Sequence, residues 1–586
     1  MKSSIRKQAV ILLIGCLVLT LGSCVSNPPR QSTSIRRHRP LTTIKHPRDE
    51  GIVYYDVFFE IDPLKNIFSS QQRVTITANL AEGHKLMVYA WEELVIDQLA
   101  LEDDKGKELA ITIWQKVGSY SIDYPWMRMV FSEIEIETTK AMPTHGQLIV
   151  KFDYHLPKEA VQKGLAGNMV QLFASSQGSH AGGPESGAFP LVSGKLEAPF
   201  RITIKHPDSF QCALPGEQFS KEESAGYVTV TYRADIPYDP SFSCAPYQVI
   251  SKDIEGMRIE LFMPIDVDLS PEMLTTAAQI LSFYQEKFGE APADSFRIVF
   301  PNLDNDEGGG ESNGNIVFLG NIQTFLNYEE NEEAKDTFAH LIAHEGYHLW
   351  NTWGLDWEGT LAEWWVEGGA NFMASWAKEM LYGNAYGANN RLNHLKGFNE
   401  QKAYQYQKSL ANLDNNWFED WALVYDYGAL VWEQLRQKVG SEALIAGLRD
   451  FYETHGNQTT NYNEFVSCME KHTEVDVAAA LAQWTEHNAR IDLMIQDVTI
   501  RYVNGRYEVQ VDLEIDADRD YELFTALGYK TSLDENWQLI NLHLTKAGRQ
   551  RIKFKSDGKP LEIQIDPEYR VPQINLDNNT WVEGSK

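Results

Sequence analysis

Thr337–Trp365 reads TFAHLIAHEGYHLWNTWGLDWEGTLAEWW, and Glu367 stands two residues beyond it. The segment contains H-E-x-x-H as His344-Glu345-Gly346-Tyr347-His348. On a helix, residues four apart share one face about a turn apart. Two imidazoles so placed reach one Zn²⁺ at about 2.0–2.1 Å. Glu345, between them, is placed to take a proton from a water at the ion. Eighteen residues separate His348 from Glu367, which lies in Trp364-Trp365-Val366-Glu367-Gly368-Gly369. A carboxylate there, on a second predicted helix, completes a His-His-Glu set for one Zn²⁺ per chain. It leaves the fourth position open, as in a catalytic rather than a structural site. Alone, H-E-x-x-H also fits a core helix with two satisfied histidines, and it is Glu367 that moves the reading to a metal. His340, one turn before His344, has no glutamate following it and reads as a packing or supporting residue.

The pattern H-E-x-x-H, eighteen residues, Glu resembles that of the gluzincin metallopeptidases, with the spacing of the aminopeptidase N family. The continuation His348-Leu349-Trp350-Asn351 is similar to the glycyl aminopeptidase family, where a Trp-Asn pair follows the second histidine. The resemblance implies a thermolysin-like catalytic domain, a small β-sheet plus a helical bundle, that hydrolyses peptide bonds.

Two further segments carry the resemblance. Gly308-Gly309-Gly310-Glu311 resembles a Gly-x-x-Glu segment that precedes the zinc helix in these families. By that likeness Glu311 binds the substrate's free α-amino group, with Gly309 and Gly310 beside the substrate backbone. Glycine lets main chain come close to a ligand, and an exposed strand edge can pair with an extended peptide. Gly310 departs from the usual large apolar residue and Ser312 from the usual Asn or His, so a simple acidic turn stands as the alternative. Leu423-Val424-Tyr425-Asp426-Tyr427-Gly428-Ala429-Leu430 resembles the Tyr-x-Lys-Gly segment of both families. By that likeness Tyr425 stabilises the oxyanion of the tetrahedral intermediate. Tyr427 stands where lysine is usual, and a packing role is the other reading of Tyr425.

The 586 residues suffice for three or four domains. Hydrophobic content of 43% with 11% aromatics is ordinary globular composition. A formal charge of −30 argues against nucleic acid, whose phosphates it would repel, and suits a well-solvated secreted protein.

Residues 1–24 read as a targeting segment. Lys2, Arg6 and Lys7 precede an apolar run, Ala9 to Gly22, too short to span a membrane as a helix. The run ends in Leu21-Gly22-Ser23-Cys24, which resembles a bacterial lipobox whose cysteine becomes the lipidated first residue. Leu13-Ile14-Gly15-Cys16 is a weaker candidate, and a plain signal peptide is the alternative. Several acyl chains would hold the protein on a membrane surface. Residues 25–50, rich in Pro, Ser, Thr and Arg, read as a disordered tether. With Cys24 used and Cys16 removed, Cys212, Cys244 and Cys468 remain, allowing at most one disulfide. Cys212–Cys244 is the one pair considered, with free buried thiols as the alternative.

Residues 51–250 alternate in the β manner: Val74, Ile76, Ala78 and Leu80, then Leu148, Val150, Phe152 and Tyr154, then Val228, Val230 and Tyr232. The stretch from Phe189-Pro190 to Pro207 resembles the late part of a saddle-shaped N-terminal domain in aminopeptidase N-type enzymes. Residues 251–490 form the expected peptidase domain, with strands at Met257–Met263, Phe296–Phe300 and Asn315–Leu319 and a helix capped by Ser270 and stopped at Gly289. The acidic run Glu329, Glu330, Glu332 and Glu333 complements the dipole of the zinc helix. Residues 491–586 return to β, with a hairpin signal at Asn504-Gly505, and read as a β-sandwich. The expected fold class is therefore multidomain α+β.

The expectation is a zinc-dependent peptidase, an aminopeptidase if Glu311 holds the amino terminus and an endopeptidase otherwise. Its partners are a peptide substrate and, through the lipid anchor, a membrane. Its place is the bacterial cell envelope, facing the periplasm or the exterior. The competing reading is a lipoprotein that binds peptides or a partner protein on the same scaffold without catalysis.

Overall fold

The computed structural model describes residues 51–584 apart from 79–84, 92, 125–126, 139–145, 164–171, 176, 184–185, 187, 190, 193–196, 302–308, 414–419 and 533–535. The targeting segment, Cys24 and the tether lie outside the described residues, as do Leu80, Pro190 and Gly308.

The N-terminal region is β-rich. A seven-stranded sheet runs in the order Glu217–Ser224, Tyr227–Tyr238, Ala198–Pro207, Gly51–Asp62, Ile67–Ala78, Gly146–His155, Val95–Glu102. Strand Gly51–Asp62 shows why it is half-buried: Tyr55, Val57, Phe59 and Ile61 face the core, and the residues between them are partly exposed. Phe59 gathers Phe68, Phe189 and Phe242 around it at ring distances of 5.9, 5.8 and 4.8 Å. A four-stranded sheet (Gln211–Ala213, Phe242–Ala245, Gly178–Ala181, Leu172–Ser175) brings Cys212 opposite Cys244. The two cysteines form a disulfide, and Cys468 is a free buried thiol.

The central region opens on a five-stranded sheet, in the order Tyr247–Ile254, Met257–Pro264, Ser295–Val299, Ile316–Leu319, Gly310–Ser312. Helix Glu272–Phe288 packs on it; the Ser270 hydroxyl accepts from the Glu272 amide at 3.1 Å, and Gly289 ends the helix at φ 96°. Helix Glu332–Asn351 carries both histidines. Its cap is Asn331, whose side-chain oxygen accepts from the amides of Glu333 and Ala334, so Glu332 and Glu333 sit in the first turn against the positive end of the dipole. Further helices (Gly369–Tyr382, Asn384–Glu400, Gly428–Val439, Ser441–His455, Tyr462–Glu470 and Val477–Thr485) complete the bundle.

The C-terminal region comprises a three-stranded sheet (Ile491–Val503, Arg506–Ala517, Gly548–Ser556) and a four-stranded one (Gln538–Leu544, Leu523–Lys530, Glu562–Ile565, Thr580–Val582). The first hairpin turns at Asn504 (φ 51°) and Gly505 (φ 87°), the two left-handed residues a tight hairpin turn requires. This region is bonded to the bundle. Gln434 donates to the carbonyls of Phe524 and Arg570 and accepts from the Phe524 amide, all within 3.0 Å, and Arg391 donates to the Glu568 carbonyl at 2.8 Å. One continuous apolar core runs from the central sheet through the bundle into these strands. Among the described residues no helix is long and apolar enough to cross a membrane.

Candidate metal centre

His344 and His348 lie on the buried face of their helix, with Glu345 between them and also buried. Glu367 reaches them from Trp364–Gly368, a turn of π-helix that runs directly into helix Gly369–Tyr382. Wide turns of this kind push one residue out of helical register, and they recur at functional sites. The His344 and His348 Nε2 atoms are 3.3 Å apart; Glu367 Oε2 is 3.3 Å from His344 Nε2 and 3.7 Å from His348 Nε2. Donors about 2.0–2.1 Å from a tetrahedral ion stand roughly 3.3–3.4 Å from one another. The set therefore has the dimensions of a zinc site, and among the described residues it is the group of three metal-ligating side chains so placed.

The supports of the imidazoles fit the same ion. Asn371 Oδ1 lies 2.9 Å from His344 Nδ1, and Asn351 Oδ1 lies 3.1 Å from His348 Nδ1. Asn351 donates through Nδ2 to the carbonyls of Trp365 and Val366 at 3.0 and 2.8 Å, so its oxygen must be the atom turned to the ring. An acceptor there keeps the ring proton on Nδ1 and leaves the Nε2 lone pair for a metal. Glu367 Oε2, buried and without a hydrogen-bond partner, faces those same nitrogens. Three lone-pair donors converging on one buried point are held together only by a positive charge, a proton or a cation.

The electrostatics agree. Burial by itself disfavours charge on His344, yet the carboxylates of Glu367 and Glu345 outweigh it and raise the ring's affinity for a proton. At His348 burial wins and the ring falls to about 4. Burial also opposes the charged form of Glu367, but the His348 and His344 rings pull its carboxyl below the ordinary value. Burial pushes Glu345 up to about 7, with the charge of Glu367 adding to the rise and His344 and Ser312 opposing it. A carboxyl whose pKa lies near the working pH is suited to taking and returning a proton.

Glu345 meets the edge strand Gly310–Ser312. A Cβ placed on Gly310 would stand 2.7 Å from Glu345 Oε1, so the position has room only for glycine; this is a local reason for its departure from the large apolar residue of the resembling families. Ser312 hydrogen-bonds Glu345 through both its hydroxyl and its amide. Glu311, between Gly310 and Ser312, is half-buried, and its Oε1 accepts from Asn313 Nδ2 at 3.1 Å. Gly309 (φ 130°) enters the strand with open space around it.

Tyr425 sits in a second π-helical turn, Ala422–Tyr427, ahead of helix Gly428–Val439. Its ring stacks on that of His344 (centroids 6.0 Å, planes 12° apart) and its hydroxyl bonds Glu367. Burial, then the charges of Glu367, Glu345 and Glu363, raise its pKa well above 10, so the hydroxyl keeps its proton and remains a donor. Tyr427, in the usual lysine position, is instead a buried brace that donates to the carbonyls of Trp484 and His487. His340 supports from behind, 3.2 Å from Asn390. Trp364 and Trp365 are core, and Trp364 stacks on Trp432 at 4.5 Å with planes 9° apart.

Reading the sequence passed over three contributors. Asn371 stands one helical turn after Glu367, a spacing that could have drawn attention to it. Ser312 was visible as a departure without a role. Glu363, one turn before Glu367, is half-buried and pushed up to about 7 by burial and by the charge of Glu367.

Comparison with known proteins accords with this arrangement. Residues 272–484, which include the helix pair, both π-helical turns and every metal donor, match the Peptidase family M1 domain. Aminopeptidase N of Lactococcus lactis subsp. lactis is 24% identical over 226 residues, covering 36% of this chain and 26% of that protein. The crystal structure of Legionella pneumophila aminopeptidase A in complex with aspartic acid superposes with a TM-score of 0.64 at 15% identity, over 90% of this chain and 60% of that one. The chain thus spans about a quarter of the first relative and three fifths of the second. The likeness to the solved structure extends the shared fold beyond the matched segment, to the β regions on either side. The likeness to the Peptidase family M1 domain thus covers the segment of this chain that carries the His344, His348 and Glu367 set.

Proposed function

We propose that the protein is a zinc-dependent peptidase that removes residues from the amino terminus of peptides. The observation that carries this reading is the meeting of His344, His348 and Glu367 at zinc-ligand spacing with Glu345 beside them. Zn²⁺ held there supplies Lewis acidity, to polarise a carbonyl and to acidify a water. The chain's own residues do the rest. Glu345, held by Ser312 and given room by Gly310, takes the proton of the attacking water and passes it to the departing amine. Tyr425, a permanent donor, turns its hydroxyl to the oxygen on which negative charge grows. The exposed edge of strand Gly310–Ser312 pairs with the extended substrate, and Glu311 binds the free amino group. Amino-terminal trimming is also the activity named for both relatives above.

The test uses the mature soluble chain on matched peptides with free and N-acetylated termini. The reading expects the free series to be cut stepwise from its first residue and the acetylated series to be spared. Equal rates on both would leave a zinc endopeptidase and remove the role given to Glu311.

We further propose that the protein is a lipoprotein of the bacterial envelope, anchored through Cys24. The basic start, the short apolar run and Leu21-Gly22-Ser23-Cys24 support this. Mass spectrometry of the mature amino terminus decides it: a diacylglyceryl-modified Cys24 is expected, and an unmodified terminus elsewhere rejects the anchor.

A further inference from the structure

We infer that Asn371 is a positioning residue that sets the ligand His344 and the hydroxyl-bearing Tyr425 as a single unit; this rests on the zinc-peptidase reading above. Asn371 is 4% exposed and lies one turn beyond Glu367 on helix Gly369–Tyr382. Its Nδ2 donates to the main-chain carbonyl of Tyr425 at 3.2 Å. A carbonyl only accepts, so the amide nitrogen faces Tyr425 and the amide oxygen faces His344 Nδ1, 2.9 Å away. One carboxamide therefore fixes the tautomer of a metal ligand with one end and the backbone of the π-helical turn carrying Tyr425 with the other. The His344 and Tyr425 rings lie nearly parallel, their centroids 6.0 Å apart and their planes 12° from each other.

Asn351 makes the contrasting case. Its oxygen faces His348, and its amide holds the carbonyls of Trp365 and Val366 beside Glu367, so it ties one ligand to another. Asn371 instead ties a ligand to the tyrosine. Aspartate at 371 could accept from His344 but would set an oxygen against the Tyr425 carbonyl; leucine could do neither. The two halves of the role are thus separable by substitution.

The experiment measures Zn²⁺ affinity by chelator competition, kcat and KM on a free-amino peptide, and the His344 tautomer by ¹⁵N NMR. For Asn371→Asp, Zn²⁺ affinity stays within about threefold of the parent while kcat falls about 10–100-fold with KM little changed. In a Tyr425→Phe background, Asn371→Asp removes no more than about a further twofold of kcat, because its effect passes through the missing hydroxyl. Asn371→Leu weakens Zn²⁺ binding by about 10–100-fold as well and loses the Nδ1–H tautomer. If the leucine variant does not fold, the aspartate variant and its double-mutant cycle carry the test. The inference is overturned if Asn371→Asp loses zinc as completely as Asn371→Leu, or if its kcat loss multiplies in full with that of Tyr425→Phe. A parent protein that binds zinc but cuts no peptide sinks the peptidase reading instead, and the affinity and tautomer readouts still decide the role of Asn371 toward His344.

Discussion

Gly368 packs Cα to Cα on Gly428: a Cβ built on either stands 3.2 Å from the α-carbon of the other. Each glycine lies at the junction of a π-helical turn with the helix that follows, one turn holding Glu367 and the other Tyr425. Trp364 donates to the Gly428 carbonyl and Trp432 to the Trp364 carbonyl, both at 3.3 Å, so the crossing is bonded as well as packed. The turn holding Glu367 and the turn holding Tyr425 are therefore spaced by the width of two residues without side chains. Gly428→Ala is expected to destabilise the fold by about 1–3 kcal/mol through overpacking. Because it moves Tyr425 relative to Glu367, it should also lower kcat by about tenfold or more. Thermal unfolding and steady-state kinetics check both; an alanine variant with parental kcat would contradict the spacing role.

Gly310 answers to Glu345 in the same way. Alanine there puts a methyl 2.7 Å from the carboxylate oxygen and 2.8 Å from Cγ, so the carboxylate must turn away. Gly310→Ala and Glu345→Gln should both keep their zinc, because neither position supplies one of the three donors. The glutamine variant, lacking the base, should lose about 10²–10⁴ in kcat. Metal analysis beside kinetics checks this, and a glutamine variant with full turnover would remove Glu345 from the chemistry.

A third prediction concerns acid. Burial opposes charge on Glu433, but Arg436, Arg391 and Arg570 overcome it and hold its carboxyl below the ordinary value. Arg436 also bonds Glu379, which Arg391 holds in turn, and Arg391 and Arg570 join this network to the C-terminal strands. A folded-state pKa below the unfolded one adds stability that is complete above the unfolded value of 4.5 and is lost as pH falls through the depressed value. Unfolding stability should therefore fall as the pH drops below about 4.5. Removing the carboxylate with Glu433→Ala should cost about 3–5 kcal/mol at pH 7, since it leaves buried guanidinium charge uncompensated. Denaturant unfolding at a series of pH values reads both, and an alanine variant as stable as the parent would contradict the network's role.

The legibility of this protein divides along physical lines. The H-E-x-x-H spacing carried His344, Glu345 and His348, because a helical face is a local property, and the distance to Glu367 carried the third donor. The type and order of the β regions were legible from alternation, and the Asn504-Gly505 turn from its need for two left-handed residues. The Cys212–Cys244 bond was open because it depends on the register of strands 32 residues apart, which no local pattern encodes. The π-helical turns were hidden for a different reason: one residue of extra helical width leaves no mark in composition. With them went Asn371, an amide of no special chemistry until the turn brings the Tyr425 carbonyl to it.

The central claim is that three side chains hold one catalytic zinc ion, and a titration tests it most directly. The purified chain is stripped of metal with a chelator, and Zn²⁺ is returned in steps while bound metal and peptide cleavage are measured together. The account predicts no cleavage by the stripped protein and recovery that saturates at one ion per chain, with both responses lost in His344→Ala. Cleavage that survives stripping, or an His344→Ala chain that binds and works like the parent, would contradict it.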